Sequence, residues 1–321
     1  TRVRLARNLE RFPFERKITP VQSQELATLV HGALENINLG DNKLNFYTGE
    51  ELDKVTALSF AERHVASLDL VKKGKSAGMI VSEDESVSVM TGEEDHIRIQ
   101  VMAAGLALNS ALETANKFDD VLDQALDYAF DDDLGYLTSC PTNLGTGLRA
   151  SVMLHLPAIE RAGLLPQLTN AISKLGLTIR GSYGEGSKAR GARYQISNQI
   201  TLGISEQVAV QNLGEIVKQV IAQEQELRKT MLKQYPQLED EIHRSYGILK
   251  YARSLSSAEL FELLSNVRIG VSQGMLEQAG LNDITKLEFE AGSACITKQA
   301  QKELSAKERD AFRAEMVRSI I

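Results

Sequence analysis

Arginine occurs in this sequence in short contexts that are typical of strands or strand edges. Five such arginines are spread along the chain, namely Arg2, Arg4, Arg98, Arg149 and Arg180. If the first segment is extended, Arg2 and Arg4 project to the same side. A strand-face arginine flanked by apolar residues needs an anionic partner. For any one of them a structural ion pair is the more common arrangement, so only the joint pattern favours an anionic ligand.

Carboxylates and a thiol form a second group of candidate residues. Glu93 and Glu94 precede a period-two segment, and Glu185 lies in the glycine-rich segment that follows Arg180. By itself the acidic pair indicates a solvated turn. The glycine-rich segment by itself indicates a flexible loop, because the spacing of its glycines is not that of a dinucleotide-binding loop. Cys140 precedes a proline in a glycine-rich turn, where a lone thiol is ordinarily an inert small hydrophobe.

Composition excludes several classes of function. The chain has 321 residues, 43% hydrophobic and 25% charged, with a net charge of -7. This acidity disfavours unspecific binding to nucleic acid, and no apolar run approaches the roughly 18 residues that span a membrane. Two cysteines are too few for a disulfide framework and fit a reducing cytoplasm. The spacing of His and Cys predicts no metal site held by the protein. Because the chain opens on Thr1 without Met, we expect it to begin inside a larger polypeptide.

Patterning predicts an α+β fold, with an antiparallel sheet flanked by helices up to residue 229 and an all-helical domain over residues 230–321. Period-two segments predict strands at 77–81, 86–91, 95–101, 150–156, 178–182 and 193–199. In the third of these, Arg98 and Gln100 face one way, and Ile97 and Ile99 face the other. Strands and helices do not alternate regularly, which argues against a parallel doubly wound sheet. Capping boxes at Thr19 and at Ser59 predict the starts of two helices, the first of which runs to residue 35. Further helices are predicted at 103–117, 119–129, 158–174, 205–235, 237–253, 256 onward, 272–279 and 297–321.

Four of these segments resemble the ATP:guanidino phosphotransferases, the family of creatine and arginine kinases. They lie in the family's order at compatible spacing, as Thr-Arg-Val-Arg-Leu-Ala-Arg-Asn (1–8), Glu-Glu-Asp-His-Ile-Arg (93–98), Cys-Pro-Thr-Asn-Leu-Gly-Thr-Gly-Leu-Arg-Ala (140–150) and Arg-Gly-x-x-Gly-Glu (180–185). The resemblance implies the guanidino-kinase catalytic fold and transfer of a phosphoryl group from ATP to a guanidinium.

Two features resemble the bacterial protein-arginine kinase branch of this family. A long helical segment follows Glu185, whereas kinases of small guanidino compounds finish soon after the glycine-rich loop. The segment Arg-Asp-Ala-Phe-Arg-Ala (309–314) is similar to the motif by which that branch binds phosphoarginine as an allosteric signal. The resemblance therefore implies a phosphoarginine pocket formed by Arg309, Asp310, Arg313 and Ala314. A salt-bridged surface helix remains the alternative from the residues alone.

The resemblance also implies the members of the active site. Glu94, Glu185 and Cys140 are expected at the acceptor guanidinium, with Glu94 as general base. His64 by itself would be a surface histidine, but the family puts it in the nucleotide site. With Mg²⁺ bridging the phosphates, the expected ATP-binding residues are Thr1, Arg2, Val3, Arg4, His64, Arg98, Arg149, Ala150, Ser151, Val152, Met153, Arg180, Gly181, Ser182, Tyr183, Gly184 and Glu185.

The implied function is a cytoplasmic kinase that phosphorylates arginine side chains of client proteins in a stress response. By resemblance the mark directs clients to a Clp protease, and the expected partners are an McsA-type activator, a CtsR-type repressor and a second copy in a homodimer. Two alternatives stay open at this point. One is a kinase for free arginine or another small guanidino compound, and the other is a catalytically weak phosphoarginine-binding adaptor, against which the retained charged residues argue.

Overall fold

The computed structural model describes residues 1–37, 42–181 and 189–321. Its strands are β1 (Arg2–Arg7), β2 (Leu44–Thr48), β3 (Gly78–Ser82), β4 (Val87–Thr91), β5 (Ile97–Met102), β6 (Phe130–Asp131), β7 (Gly135–Tyr136), β8 (Leu148–His155), β9 (Leu177–Gly181) and β10 (Arg193–Asn198). Its α-helices are α1 (Pro20–Leu34), α2 (Lys54–Glu62), α3 (Leu68–Lys73), α4 (Leu108–Ala125), α5 (Pro157–Arg161), α6 (Leu165–Ser173), α7 (Glu206–Gln234), α8 (Leu238–Tyr251), α9 (Ser257–Ser272), α10 (Leu281–Glu290), α11 (Ser293–Ala300) and α12 (Ala306–Ile320).

Eight of these strands form one sheet in the order β2-β3-β4-β5-β1-β8-β10-β9, and β6 pairs with β7 in a small hairpin. The pairs from β2 through β8 in this order are all antiparallel. From Glu206 onward the chain forms only helices. The predicted α+β class, with an antiparallel sheet and a helical C-terminal region, is therefore confirmed.

The chain divides into two compact units. The first comprises Thr1–Val152, Lys174–Thr178 and Ile196–Ile216, and the second comprises Met153–Ser173, Ile179–Gln195 and Val217–Ile321. The division passes through β8, β9 and β10, so it does not coincide with a single point in the sequence.

In the first unit, opposite faces of the sheet are covered by different helices. Leu5 and Ile99 are opposite each other in the β1–β5 register and fully buried, on the face against which α4 packs. The other face carries a second buried cluster under α2 and α3, whose members include Phe60, Val65, Leu70, Met79, Val81 and Met90. Alternation along each strand therefore sends neighbouring residues into two different environments.

In the second unit, the helices after β10 share one apolar core. It includes the buried side chains of Leu249 in α8, Leu264 and Val267 in α9, Leu287 in α10 and Val317 in α12. All five are at most 1% exposed. The apolar periodicity of this region thus reflects burial of one stripe of each helix.

Several predicted helices begin or end elsewhere. Ser59 does not cap a helix but lies inside α2, where its hydroxyl donates to the carbonyl of Thr56. The helix begins after Asp53 instead, because the Asp53 carboxylate accepts from the backbone N–H of Val55 and of Thr56. The capping-box prediction at Ser59 was wrong because two N-terminal signals compete within one short segment.

Other helix boundaries differ from the predicted ones because one helix is continuous and because glycines interrupt two predicted helices. The helices predicted at 103–117 and 119–129 are the single helix α4, and the one predicted at 158–174 is broken at Gly163, which has φ of 68°. The helix predicted at 272–279 is a connection in which Gly274 has φ of 71°. Such backbone angles favour glycine and interrupt a right-handed helix. The strand β2 and the β6–β7 hairpin were not predicted.

Candidate functional site

Register brings four of the predicted arginines onto one face of the sheet. Arg4 on β1 is directly opposite Arg149 on β8 and, on the other side, opposite Gln100 on β5. Arg2 and Arg98 are two residues away from Arg4 and Gln100 on the same strands, so they project to the same side. We call Arg2, Arg4, Arg98 and Arg149 the arginine face.

Burial and mutual repulsion disfavour the charges on the arginine face. Burial first, and then the charges of Arg98 and Arg149, lower the pKa of Arg2 from 12.5 to about 10. Burial and the charges of Arg2, Arg98 and Arg149 lower the pKa of Arg4 well below its ordinary value, while Glu93 acts in the opposite direction. The Nε of Arg4 is buried and has no hydrogen-bond partner among the described residues. Such a surplus of buried positive charge favours a polyanion.

Arg98 connects the arginine face to two carboxylates. Its Nη1 is bonded to Glu93, and its Nη2 donates to Oε2 of Glu94 at 3.2 Å. Glu93 is 1% exposed, whereas the side chain of Glu94 is 43% exposed. The acidic run is therefore not a wholly solvated turn, because its first carboxylate is a buried partner of Arg98 and its second faces open space.

Glu94 and Cys140 line a common cavity of about 560 Å³. We call it the Cys140 cavity, and its lining residues are Glu15, Arg16, Asp69, Lys72, Lys73, Glu93, Glu94, Ser139, Cys140 and Pro141. Asn143 Nδ2 donates to Glu94 Oε2 at 3.4 Å, and Cys140 Sγ lies 3.0 Å from Thr142 Oγ1. The carboxylate and the partly exposed thiol predicted at the acceptor guanidinium therefore meet at one opening.

Asp95 fixes the loop of Cys140 against the loop of Glu94. It is fully buried, and its Oδ1 accepts from Asn8 Nδ2 at 2.8 Å and from the backbone N–H of Ser139 at 2.6 Å. These bonds join two of the four sequence motifs, 1–8 and 93–98, to the residue that precedes the third. Sequence reasoning missed this role of Asp95, although its place beside Glu94 was a signal.

His64 is held beside the arginine face by its backbone. Its carbonyl accepts from Gln100 Nε2 at 2.9 Å, and Gln100 is the residue opposite Arg4. His64 has φ of 64°, a conformation that non-glycine residues seldom adopt. Gln100 is a further residue that sequence reasoning missed, although its position on the Arg98 side of β5 was predicted.

The remaining predicted nucleotide residues have different locations. Thr1 donates its hydroxyl to the carbonyl of Gly105 at 2.6 Å. Ser151 is buried opposite Arg2 on the arginine face, so its side chain shares that side. On the opposite face, packed in the core, are the buried side chains of Val3, Ala150 and Val152.

Other members lie in the second unit or outside the described residues. Met153, Arg180 and Gly181 belong to the second unit. Outside the described residues are Ser182, Tyr183, Gly184 and Glu185.

The C-terminal motif lies on α12 in the second unit. Arg313 is 1% exposed; its Nε donates to the carbonyl of Ala291 at 2.9 Å, and its Nη1 donates to the carbonyl of Leu255 at 2.7 Å and to Asp310 Oδ1 at 2.6 Å. Arg309 is only partly buried and donates to the carbonyl of Leu304 at 2.6 Å. The two guanidinium groups are thus engaged by different carbonyls, and Arg313 is not a solvated surface residue. Ala314, also in the motif, is fully buried.

Within residues 1–37, 42–181 and 189–321, no group of three or more His, Cys, Asp or Glu side chains is arranged to hold a metal ion. No helix in the same ranges combines the length and apolar character needed to cross a membrane.

Known families and proteins match this chain over almost all of its length. Residues 25–227 match the family model of the ATP:guanido phosphotransferase C-terminal catalytic domain. Residues 235–321 match the model of the protein-arginine kinase McsB C-terminal domain. A protein-arginine kinase of Clostridium novyi (strain NT) is 43% identical over 99% of this chain and 93% of its own length. A protein-arginine kinase of Clostridium acetobutylicum is also 43% identical, over 99% of this chain and 94% of its own length.

Solved structures of guanidino kinases share the fold. A crystal structure of lombricine kinase has a TM-score of 0.61 at 26% identity, covering 70% of this chain and 65% of that one. The duplicated taurocyamine kinase from Schistosoma mansoni, with bound transition state analog components, has a TM-score of 0.62 at 25% identity, covering 81% of this chain and 38% of its own. This chain spans less than two thirds of the length of either structure. The chain belongs to the ATP:guanido phosphotransferase family, and the relatives that share 43% of its residues are protein-arginine kinases.

Proposed function

We propose that this chain transfers the γ-phosphoryl group of ATP to the guanidinium of arginine side chains in protein substrates. The observation that carries the proposal is the position of Arg98. The guanidinium of Arg98 belongs to the arginine face and is bonded to both Glu93 and Glu94, which line the Cys140 cavity. A phosphate chain on the face and a guanidinium in the cavity would meet at this residue.

The arginine face supports binding of the phosphates of ATP. ATP brings about four negative charges, and planar guanidinium groups can grip non-bridging oxygens in pairs. The lowered pKa values of Arg2 and Arg4 reflect burial first and then repulsion between the arginines, and bound phosphates would relieve that repulsion. Phosphoryl transfer asks mainly for in-line positioning and neutralisation of charge, which four convergent arginines supply.

Mg²⁺ would bind with ATP, through its phosphate oxygens. It would neutralise charge on the transferring group. The resemblance adds Arg180 and the segment up to Glu185 to the nucleotide set, and these assignments remain part of the proposal.

Glu94 would clamp the acceptor guanidinium and receive its proton late in the reaction. The ordinary pKa values of a free glutamate and a free arginine differ by about 8 units, or roughly 11 kcal/mol, which makes ground-state deprotonation implausible. As the bond between nitrogen and phosphorus forms, the acidity of that nitrogen rises and a nearby carboxylate becomes an adequate base. Glu185 is proposed as the second carboxylate of the clamp.

Cys140 would lie beside the acceptor and be sensitive to oxidation. Its partly exposed thiol lines the same cavity as Glu94 and Lys73. We assign Cys140 to the acceptor subsite without making it the nucleophile, because the phosphoryl group passes directly to nitrogen.

The segment from residue 230 to 321 is proposed to sense phosphoarginine and to mediate dimer formation. Arg309, with a partly exposed guanidinium, would contact the phosphate, and Asp310 would face the guanidinium side of the ligand. The McsA-type activator, the Clp protease machinery, the CtsR-type repressor, the cytoplasmic setting and the stress response belong to the same proposal through the relatives.

A direct test is incubation of the chain with ATP, free arginine and an unfolded protein in one reaction. We expect acid-labile phosphate on the protein, localised to arginine by mass spectrometry. Phosphate on free arginine alone would favour a small-molecule guanidino kinase. Absence of turnover together with tight binding of phosphoarginine would favour an adaptor.

A further inference from the structure

Glu15 lines the Cys140 cavity, and one of its two carboxylate oxygens is unused. It lies between β1 and α1 and is only 6% exposed. Its Oε1 accepts from Lys73 Nζ at 2.8 Å, whereas its Oε2 is buried without a hydrogen-bond partner among the described residues. Leaving a buried hydrogen-bond acceptor without a donor costs free energy. The unpaired oxygen therefore indicates that a bound ligand supplies the missing donor.

The segment that carries Glu15 is fixed to the loop of the other carboxylates. His96 is fully buried, and its Nδ1 accepts from the backbone N–H of Leu9 at 3.0 Å. Its Nε2 therefore carries the proton and donates to the carbonyl of Pro13 at 2.9 Å. A Cβ on Gly92 would lie 3.7 Å from Glu15 Oε1, so the carboxylate lies against the start of the Glu93–Glu94 turn.

We infer that Glu15 is a further substrate-binding residue, whose Oε2 accepts an N–H bond from the acceptor arginine residue. This inference rests on the proposed function, in which a guanidinium enters the Cys140 cavity. An arginine side chain carries five N–H donors and no acceptor. When one nitrogen attacks, the group loses one of these donors, and the four that remain need acceptors. Glu94 cannot satisfy all four, because Arg98 and Asn143 already donate to its Oε2.

The environment of Glu15 suits this role better than a purely structural one. Lys73 supplies the opposite charge at one oxygen of the carboxylate, and Glu15 itself lines the cavity. Asp69 is the natural contrast, since it lines the same cavity but its side chain is 62% exposed and pairs with Lys72. A general need for negative charge would make the two acids equivalent, whereas a specific hydrogen bond would not.

The test compares Glu15→Gln with Asp69→Asn in the full chain. Binding of an arginine-containing peptide is measured by calorimetry in the presence of ADP, together with ADP affinity and thermal unfolding. Because Gln can still accept from Lys73 but places an amide group at the other position, Glu15→Gln is expected to weaken peptide binding about tenfold or more. ADP affinity should stay within about twofold, and Asp69→Asn should bind the peptide like the parent.

Equal loss in both variants, or an equal loss of ADP affinity in Glu15→Gln, would overturn the assignment. A parent that binds the peptide but transfers no phosphate contradicts the proposed function alone, and one that binds no arginine peptide contradicts both. Should Glu15→Gln not fold, a crystal structure of the parent with ADP and the peptide decides. A peptide N–H within 3.2 Å of Oε2 supports the inference, and its absence refutes it.

Discussion

Arg98 and Glu94 are bonded across 3.2 Å, and this contact joins the arginine face to the Cys140 cavity. Arg98 projects from the middle of the sheet, whereas Glu94 lies in the turn that leads into the same strand. In the proposed function, four residues of sequence therefore span both substrates. A substitution at either residue is therefore expected to change nucleotide affinity and the rate of phosphoryl transfer to different extents.

Replacing Glu94 with Gln should separate these two effects. The amide oxygen can still accept from Arg98, so ATP affinity is expected to change less than about threefold. Phosphotransfer should fall at least about 100-fold, because an amide cannot take the departing proton. Single-turnover kinetics and nucleotide titration measure the two quantities. Comparable turnover in the variant would end the assignment of Glu94 as base.

Replacing Arg4 with Met should stabilise the free protein while weakening ATP binding. Burial and the charges of Arg2, Arg98 and Arg149 oppose the charge of Arg4 in the folded state, as its lowered pKa indicates. Its removal is expected to raise the free energy of unfolding by on the order of 1 kcal/mol and to lower ATP affinity about tenfold or more. Urea denaturation without nucleotide and nucleotide titration test both parts.

The matched control for Arg4→Met is Lys17→Met, which removes the same charge from an exposed side chain. It should change neither quantity appreciably. If Arg4→Met is less stable than the parent, the repulsion on the arginine face has been overestimated.

The free energy of unfolding should fall as the medium is acidified below pH 6.5, through His155. Burial first, and then Arg228, Arg193 and Arg268, hold the pKa of His155 well below 6.5. Between the folded pKa and 6.5 the unfolded chain binds a proton that the folded chain does not, so stability drops with falling pH by up to about 1.4 kcal/mol per unit. Below the folded pKa this contribution is constant.

His155→Gln checks this origin, since the amide can hold Ser265, which lies 2.8 Å from His155 Nε2, without titrating. Urea denaturation at several pH values should give a shallower dependence in the variant. An unchanged slope would assign the acid sensitivity to other groups.

The two arginines of the C-terminal motif should behave differently when each is replaced by Ala. Arg313→Ala removes a buried guanidinium bonded to two carbonyls and to Asp310, and should cost about 3 kcal/mol of stability. Arg309→Ala loses one bond to the carbonyl of Leu304 and should cost less than about 1 kcal/mol.

The response to phosphoarginine tests the proposed role of this motif. Arg309→Ala should remain folded and lose the change in activity that added phosphoarginine causes in the parent. If both variants respond to phosphoarginine as the parent does, the pocket assignment fails.

The sequence by itself determined the family and most of the strands. The alternation around Arg98 predicted which residues share its side, because a strand has a period of two whatever lies beside it. The capping box at Thr19 likewise predicted the start of α1, since both of its bonds are local.

Only the tertiary structure decided how distant residues meet. Arg4 and Arg149 are opposite each other because β1 pairs with β8, which no local pattern records. Asp95 bonds to Asn8 and Ser139 across long stretches of chain, and Glu15 keeps one oxygen unpaired against the Cys140 cavity. Local periodicity fixes the side on which a residue projects, whereas strand order and burial fix its partners and therefore its chemistry.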